Sequence, residues 1–374
     1  MKLMHLSDLH LGRRLYEYSL IDDQKYLLNG ILALVEQEQP RAVLIAGDVY
    51  DKSVPSAEAV ALLDEFLCRL SELVSDIFLI SGNHDSPERI AFGGRLMDAR
   101  GVHISPVYSG AIQPITLDGR FDFYLLPFVR PATVRAVHPD AEIETYTDAV
   151  KTAVSAMPIQ PKRVNILVAH QFVTGATRSD SEETFVGDAG NVDIAAFDPF
   201  DYVALGHIHA SQNLSPRVRY CGTPMMYSVS ERNSVKTATI AEIDESGAVS
   251  VRAVPIEPVR RIRQIQGSFS EVTEKAFYAS IPTGDYIKIV LTDETDVPDA
   301  HAKLRTIYPN LLCIEYDNAR TRRNQIIGAA EASSEKSPVQ LFEELFEKQN
   351  NQPMSDRQRK IVAELIEELK EETV

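Results

Sequence analysis

Residues 201–212 read DYVALGHIHASQ: an apolar run, Tyr202 to Leu205, breaks at Gly206 and is followed by His207 and His209. With nine histidines in 374 residues, two within three positions need a reason. Four other apolar runs end in the same kind of chemistry. KLMHL leads to Asp8 and His10, AVLIAG to Asp48, IFLISG to Asn83, His84 and Asp85, and VNILVA to His170. The runs are short, rich in Val, Ile and Leu, and bounded by glycine or polar residues, as buried strands are. Helical patterns lie between the first three. Leu27, Leu28, Ile31, Leu32 and Val35 recur at helical spacing in one, and Val60, Leu63, Phe66, Leu67 and Leu70 in the other. This alternation predicts an α/β core whose ligand site lies beyond the carboxyl ends of the strands, where all five polar clusters fall.

Asp, Asn and His are oxygen and nitrogen donors that suit Mn, Fe or Zn better than calcium or a thiophilic metal. Seven candidates (Asp8, His10, Asp48, Asn83, His170, His207 and His209) exceed what one ion uses once waters are counted. Two ions roughly 3.5–4 Å apart with a bridging carboxylate would use them all. In an extended segment residues i and i+2 point the same way. On that basis His207 and His209, and likewise Asp8 and His10, are expected to face one site.

Composition bounds the partners. The net charge of −16 argues against a generic nucleic-acid coat, since phosphate backbones attract basic surfaces. A metal site and local arginine clusters can still hold DNA on an acidic molecule. No run of about 18 apolar residues exists, and the N-terminus lacks the apolar core of a signal peptide. Cys68, Cys221 and Cys313 form no CxxC pair, which argues against a disulfide framework or a thiolate zinc site and points to a reducing cytoplasm.

The α/β core is expected to close near residue 257. Residues 258–325 then read as a small α+β module of strand, helix, strand, helix and strand, and 326–336 have linker composition. Residues 337–374 read as two helices, each opened by a capping box: Ser337 with Gln340, and Ser355 with Gln358.

The strings DLH, GDVYD, GNHD, a lone His170 after a strand, and GHIH, in that order, resemble the calcineurin-like metallophosphoesterase superfamily. Within it HLSDLHLGR, LPFVRP, GATRSDSEETFVG, FDYVALGHIHASQ and YCGTPMMYSVSE resemble the nuclease subunits of SbcCD complexes, densely over residues 1 to about 235. The resemblance implies a metallophosphoesterase β-sandwich flanked by helices, with a small capping domain that binds DNA and C-terminal helices that bind a partner. It implies two divalent ions, Mn²⁺ first, with Mg²⁺, Fe²⁺ or Zn²⁺ as the other candidates. Asp8, His10, Asp48 and His209 would hold one ion, and Asn83, His170 and His207 the second, with Asp48 bridging. His84 would stabilise the transition state or protonate the leaving oxygen, and Asp85 would orient its ring. Cys221 stands where the family commonly has serine, on a supporting strand, with little expected effect.

The activity implied is a two-metal DNA nuclease: an ATP-dependent 3′→5′ exonuclease on duplex ends and an endonuclease on hairpins or single strands. Its settings would be DNA repair, recombination and replication, in the cytoplasm at the nucleoid. The partner implied is SbcC, an SMC-like ATPase with a long coiled coil. This chain has no GxxxxGK[ST] string, so ATP dependence would come from that partner. Helices around 58–70 and ERIAFGGRLMDA would make a homodimer. Arg13, Arg14, Arg260, Arg261, Arg320 and Arg322, with Arg263 and Arg323 beside them, are candidate contacts to DNA phosphates. Asp51 suits a turn, a cap or support of the site equally. His5, His103, His138 and His301 read as structural. The rivals are a phosphoesterase for small phosphodiesters or phosphoproteins, and a scaffold that has lost its metals. The second sits badly with the presence of all seven candidate ligands.

Overall fold

A computed structural model describes residues 1–177, 190–319, 321–322, 338–350, 353–362 and 365. In chain order the strands are β1 (Lys2–Leu6), β2 (Arg14–Leu15), β3 (Tyr18–Ser19), β4 (Ala42–Ala46), β5 (Asp76–Ile80), β6 (Val102–Ile104), β7 (Ile115–Leu117) and β8 (Phe121–Leu126). They continue as β9 (Val164–His170), β10 (Tyr202–Gly206), β11 (Gln212–Asn213), β12 (Val218–Tyr220), β13 (Thr237–Ile243) and β14 (Val249–Pro255). The last three are β15 (Ile262–Gly267), β16 (Tyr286–Leu291) and β17 (Leu311–Tyr316). Two six-stranded sheets form, in the orders β14-β13-β1-β4-β5-β6 and β11-β12-β10-β9-β8-β7. Their centres are parallel: β1 pairs with β4 and β4 with β5, and in the other sheet β8 pairs with β9 and β9 with β10.

Alternation along these strands divides the apolar residues between two cores. Leu3, Leu44, Ala46, Phe78 and Ile80 meet Phe123, Leu125, Ile166, Val168 and Ala204 between the sheets. Met4, Leu6, Val43, Ile45, Ile77 and Leu79 face outward, under helices α1 (Ile21–Glu38) and α2 (Ala57–Leu73). The helix Tyr146–Ser155 covers the second sheet through Ala149, Val150, Ala153 and Val154. Strands buried on both faces explain why their sequences are continuous apolar runs. The result is a helix-flanked sandwich, as the family resemblance implies.

The expected helices are redrawn in three places. On α2 the buried stripe is Ala59, Leu62, Leu63, Phe66 and Leu70, while Val60 faces solvent. Residues 87–100 form two four-residue turns, Pro87–Ile90 and Gly94–Met97, and a short 3₁₀ turn instead of one helix. Gly93 at φ +74 breaks them apart, a conformation that glycine adopts cheaply. In the small module the stretch expected as one helix is likewise two turns, Phe269–Val272 and Lys275–Tyr278. A Ser268–Glu271 capping box opens the first, and Thr273 Oγ1 donates back to the Phe269 carbonyl where it ends.

β15, β16 and β17 form a parallel three-stranded sheet with its own cluster around Ile287, Ile289, Leu304 and Tyr308. Ile262, Tyr286 and Leu312 of this module also join the outer core of the first sheet. The hairpin β2–β3 braces the joint: Tyr18 Oη lies 3.1 Å from the carbonyls of both Pro309 and Leu311. Beyond the sheet, Pro338–Asn350 is helical. Ser355 and Gln358 form the reciprocal hydrogen bonds of a capping box at the head of the next helical stretch, while Ser337 lies outside the described residues. No described helix is long and apolar enough to cross a membrane.

Candidate metal centre

The five loops after β1, β4, β5, β9 and β10 converge at one end of the sandwich. The loops after β1 and β4 are zipped together: Asp8 N donates to the Gly47 carbonyl at 3.0 Å and His10 N to the Asp48 carbonyl at 2.9 Å. Glycine permits the approach of the others. A Cβ on Gly206 would lie 1.9 Å from the Ala46 oxygen, and one on Gly82 would lie 2.1 Å from Asp48 Oδ1.

The side chains converge by a different route from the extended one expected. Asp8, His10 and Asp48 have left-handed backbones (φ 54°, 42° and 49°), and His207 has φ 103°. Extended alternation therefore does not align His207 with His209, or Asp8 with His10; tight turns just past the strand ends do. Ile208 between the two histidines turns instead into the core of the second sheet. Non-glycine residues held this way cost on the order of 1–3 kcal/mol each and persist where surrounding contacts fix them, often at functional sites. Here the fixing contacts include His207 N donating to both carboxylate oxygens of Asp8, at 3.0 and 3.2 Å.

Asp48 lies at the middle of the cluster. Its Oδ2 is 3.3 Å from His170 Nε2, 3.8 Å from His10 Nε2 and 4.0 Å from His84 Nε2. On one side His10 Nε2 faces His209 Nε2 at 3.3 Å. On the other, Asn83 Oδ1 lies 2.9 Å from both His170 Nε2 and His207 Nδ1. Ligand atoms within 4.8 Å of one another group Asp8 with His10 and His209, and Asp8 with Asp48 and His170. All seven candidate ligands thus come together in space.

The donor chemistry fits cations. The Ala46 carbonyl can only accept, so His170 donates to it through Nδ1–H at 2.8 Å. His170 Nε2 then turns a lone pair toward the oxygens of Asn83 and Asp48. Glu231 Oε1, 3.4 Å from His209 Nδ1, leaves that ring's Nε2 lone pair facing His10. Acceptors facing acceptors in a buried site call for a cation or an extra proton among them. The proton affinities show the same demand. Burial opposes charge on Asp48, but His170 and then His10 and His84 overcome it and hold the carboxyl well below the usual range. Burial likewise opposes charge on His170, and Asp48 overcomes it, raising the ring to about 9. Burial, and then repulsion from His170, lowers His207 to about 3. Burial raises Asp8 to about 6.

His84 projects away from Asn83. Its ring sits edge-on to His10 at 5.0 Å, and its Nδ1 donates to the Asp51 carbonyl at 3.1 Å. Asp85, expected to orient that ring, instead accepts from the backbone amides of Val49, Tyr50 and Gly82 at 2.9–3.0 Å. Three converging amides pin the loops after β4 and β5 to each other and occupy the carboxylate. Asp51 supplies the contact to the ring.

Sequence reading missed two supports. Gln24 on the buried face of α1 donates to the His10 carbonyl at 2.8 Å and accepts from Gly12 N at 2.9 Å. A polar residue on an apolar stripe was the available signal. Lys236 pairs with Glu231 behind His209 and donates to Thr223 Oγ1 at 2.7 Å. Cys221 donates to the His5 carbonyl at 2.9 Å, away from the ligands. His5, His103 and His138 pair with Tyr202, Asp76 and Asp98, and Tyr108. The candidate DNA-contact arginines are engaged within the chain: Arg13 with Asp51, Arg14 with the Glu17 carbonyl, Arg260 with Asp23 and Tyr286, Arg261 with Glu257, and Arg322 with Asp317. Arg320 and Arg323 lie outside the described residues, as does most of GATRSDSEETFVG.

Residues 1–211 match the sequence profile of the calcineurin-like phosphoesterases. Residues 258–350 match a profile described as the type 5 capsule protein repressor C-terminal domain. A Staphylococcus epidermidis protein named as SbcD, the nuclease component of SbcCD, is 35% identical over 319 residues, which cover 84% of this chain and 85% of that protein. Among solved structures, a dimetal phosphatase from Danio rerio (12% identity, TM-score 0.42) covers 69% of this chain with 99% of its own. A Thermus thermophilus protein (13% identity, TM-score 0.41) covers 68% with 99% of its own. The chain belongs to the calcineurin-like phosphoesterase family, in its SbcD branch.

Proposed function

We propose that this chain is a metal-dependent DNA nuclease that works as the SbcD component of an SbcCD-type complex. The observation that carries the reading is Asp48, a buried carboxylate set between two groups of nitrogen and oxygen donors. Asp8, His10, Asp48 and His209 would hold one divalent ion, and Asn83, His170 and His207 the other, with Asp48 shared between them. Mn²⁺ is the first choice, since the donors include no thiolate and mix imidazole with carboxylate. Such ions neutralise charge on the phosphate and make water a nucleophile near neutral pH.

The chain's own residues supply the rest. Gln24, Glu231 and the Ala46 carbonyl fix the loop and ring geometry, so the donors are held ready. His84 keeps its Nδ1 proton on the Asp51 carbonyl and presents Nε2 toward the centre, where it protonates the departing alkoxide. The catalytic assignment is His84, with Asp85 holding the two loops.

On this reading residues 1–257 form the nuclease domain, 258–325 a DNA-binding cap, 326–336 a linker and 337–374 the SbcC-binding helices. Exposed Phe342, Leu345, Ile361 and Leu365 support that last role. The exposed Phe92 and Leu96, each 83% accessible, support a homodimer through residues 87–100. ATP-dependent 3′→5′ exonuclease action on duplex ends, cleavage of hairpins and single strands, and a place at the cytoplasmic nucleoid complete the proposal.

The test incubates purified protein and Mn²⁺ with a labelled DNA hairpin and, separately, an aryl phosphodiester, beside the His84→Ser variant. Hairpin cleavage that disappears in the variant is expected. Turnover of the aryl ester with the hairpin left intact, even after SbcC and ATP are added, would favour a small-substrate phosphoesterase.

A further inference from the structure

Asp23 is a carboxylate in the first turn of α1, only 2% exposed among the apolar residues of that helix's buried face. Among the described residues, both hydrogen bonds that its side chain accepts come from the small module. Its Oδ2 lies 3.0 Å from Arg260 Nη1 and 3.0 Å from Tyr286 Oη, while its Oδ1 is buried with no protein partner. Arg260 also donates to Tyr286 Oη at 3.0 Å, and its guanidinium lies 5.6 Å over the Tyr286 ring. A buried charge is costly unless it is paired, so the placement of Asp23 depends on these two module residues. The next residue along α1 turns to the metal centre, since successive helical residues point roughly 100° apart. Gln24 is fully buried; its Nε2 donates to the carbonyls of His10 and Leu9 at 2.8 and 3.3 Å, and its Oε1 accepts from Gly12 N at 2.9 Å. One turn of helix therefore joins an ion pair of the small module to the loop that carries His10.

We propose that Asp23, Arg260 and Tyr286 are positioning residues for the metal loop: by holding the start of α1 they fix Gln24, and through Gln24 they set where His10 stands. This rests on the reading of His10 as a metal ligand. The small module is then part of the support of the metal centre, and a shift of the module against the sandwich changes how tightly the ion beside His10 is held. The coupling is reciprocal, so an ion bound at His10 also steadies the module on α1. Arg260, which the sequence offers as a phosphate contact, acts here from inside the chain.

Tyr286→Phe keeps the ring in the outer core and removes one hydroxyl, and Arg260→Gln removes the charge from a partly exposed side chain. Both variants should match the wild type by circular dichroism. Titrated with Mn²⁺ in a calorimeter, each is expected to hold one of its ions about fivefold less tightly than the wild type, at the low end of coupling between sites. Gln24→Met should lose about tenfold, as removal of an outer support does. Adding Tyr286→Phe to Gln24→Met should cost nothing more, because the route already lacks its middle link. In metal-free protein the side-chain amide ¹H–¹⁵N signals of Gln24, identified by their absence from Gln24→Met, should shift in Tyr286→Phe and in Arg260→Gln. Two ions bound with wild-type affinity in both variants overturn the positioning role and leave the metal reading standing. Additive losses in the double variant place the effect of Tyr286 outside Gln24 and overturn the route. Unchanged Mn²⁺ affinity in Arg260→Gln, with a raised hairpin KM and a flatter salt dependence, makes that arginine a phosphate contact instead. A wild type that binds no Mn²⁺ removes the metal reading itself.

Discussion

Replacing Asp48 by Asn keeps the shape of the side chain but removes the charge on which His10, His84 and His170 converge. Binding of Mn²⁺ and hairpin cleavage should each fall by at least about a hundredfold, as calorimetry and a cleavage assay would show; a loss under tenfold would contradict a bridging role. Glu231 is buried against Lys236 and His209. Burial alone would raise it, and its hydrogen bond to His209 and the Lys236 charge hold it below the usual range. Glu231→Gln would leave Lys236 buried without a counter-charge, a loss of about 3–5 kcal/mol by urea unfolding. His5 sets the sign of one pH effect. Burial lowers its folded pKa to about 3, so as the pH falls below about 6.5 the unfolded chain takes up a proton that the folded chain refuses. Stability therefore drops between pH 6.5 and 3, and His5→Gln should make that slope shallower by about 1.4 kcal/mol per pH unit. At this scale the residues that cluster at the site were legible because Asp, Asn and His ended apolar runs. The contact between Asp51 and His84 was not, since it is made through a backbone carbonyl that no side-chain pattern reports.

The turns after the strands do the work that an extended period of two was expected to do. The spacing of His207 and His209 was informative, but the φ of 103° that aims the first ring is set by contacts distant in sequence. Gly206 is where an element-scale change bites: a Cβ 1.9 Å from the Ala46 oxygen forces β10 away from β4 and disturbs His170. Gly206→Ala should yield protein that is unfolded or unable to bind Mn²⁺ by circular dichroism and calorimetry, and wild-type metal binding would count against the packing described. The central strands were readable because both faces are buried. The turns of residues 87–100 were not, because Gly93 breaks a helical pattern through a conformation, not a change in hydrophobicity. The hairpin β2–β3 gives a further check. Tyr18→Phe removes the hydroxyl from the Pro309 and Leu311 carbonyls, and amide exchange in β16 and β17 should quicken, at a cost of about 1 kcal/mol.

At the scale of the molecule, none of the four apolar clusters includes a described residue beyond Tyr316. A chain ending at residue 336 should keep its melting temperature and its Mn²⁺-dependent cleavage while losing SbcC, as scanning calorimetry and a pull-down would show; retained SbcC binding would refute the role given to the tail. The small module differs, because Ile262, Tyr286 and Leu312 sit in the outer core and tie it to the nuclease sandwich. That junction was hard to foresee: composition marks a change near residue 257 but not which of the module's residues pack backward. The most direct test of the account is the number of ions bound. Metal-free protein titrated with Mn²⁺ in a calorimeter should bind two ions per chain, falling to one or none in Asp48→Asn. A single ion in the wild type, or two retained in the variant, would contradict a centre bridged by Asp48.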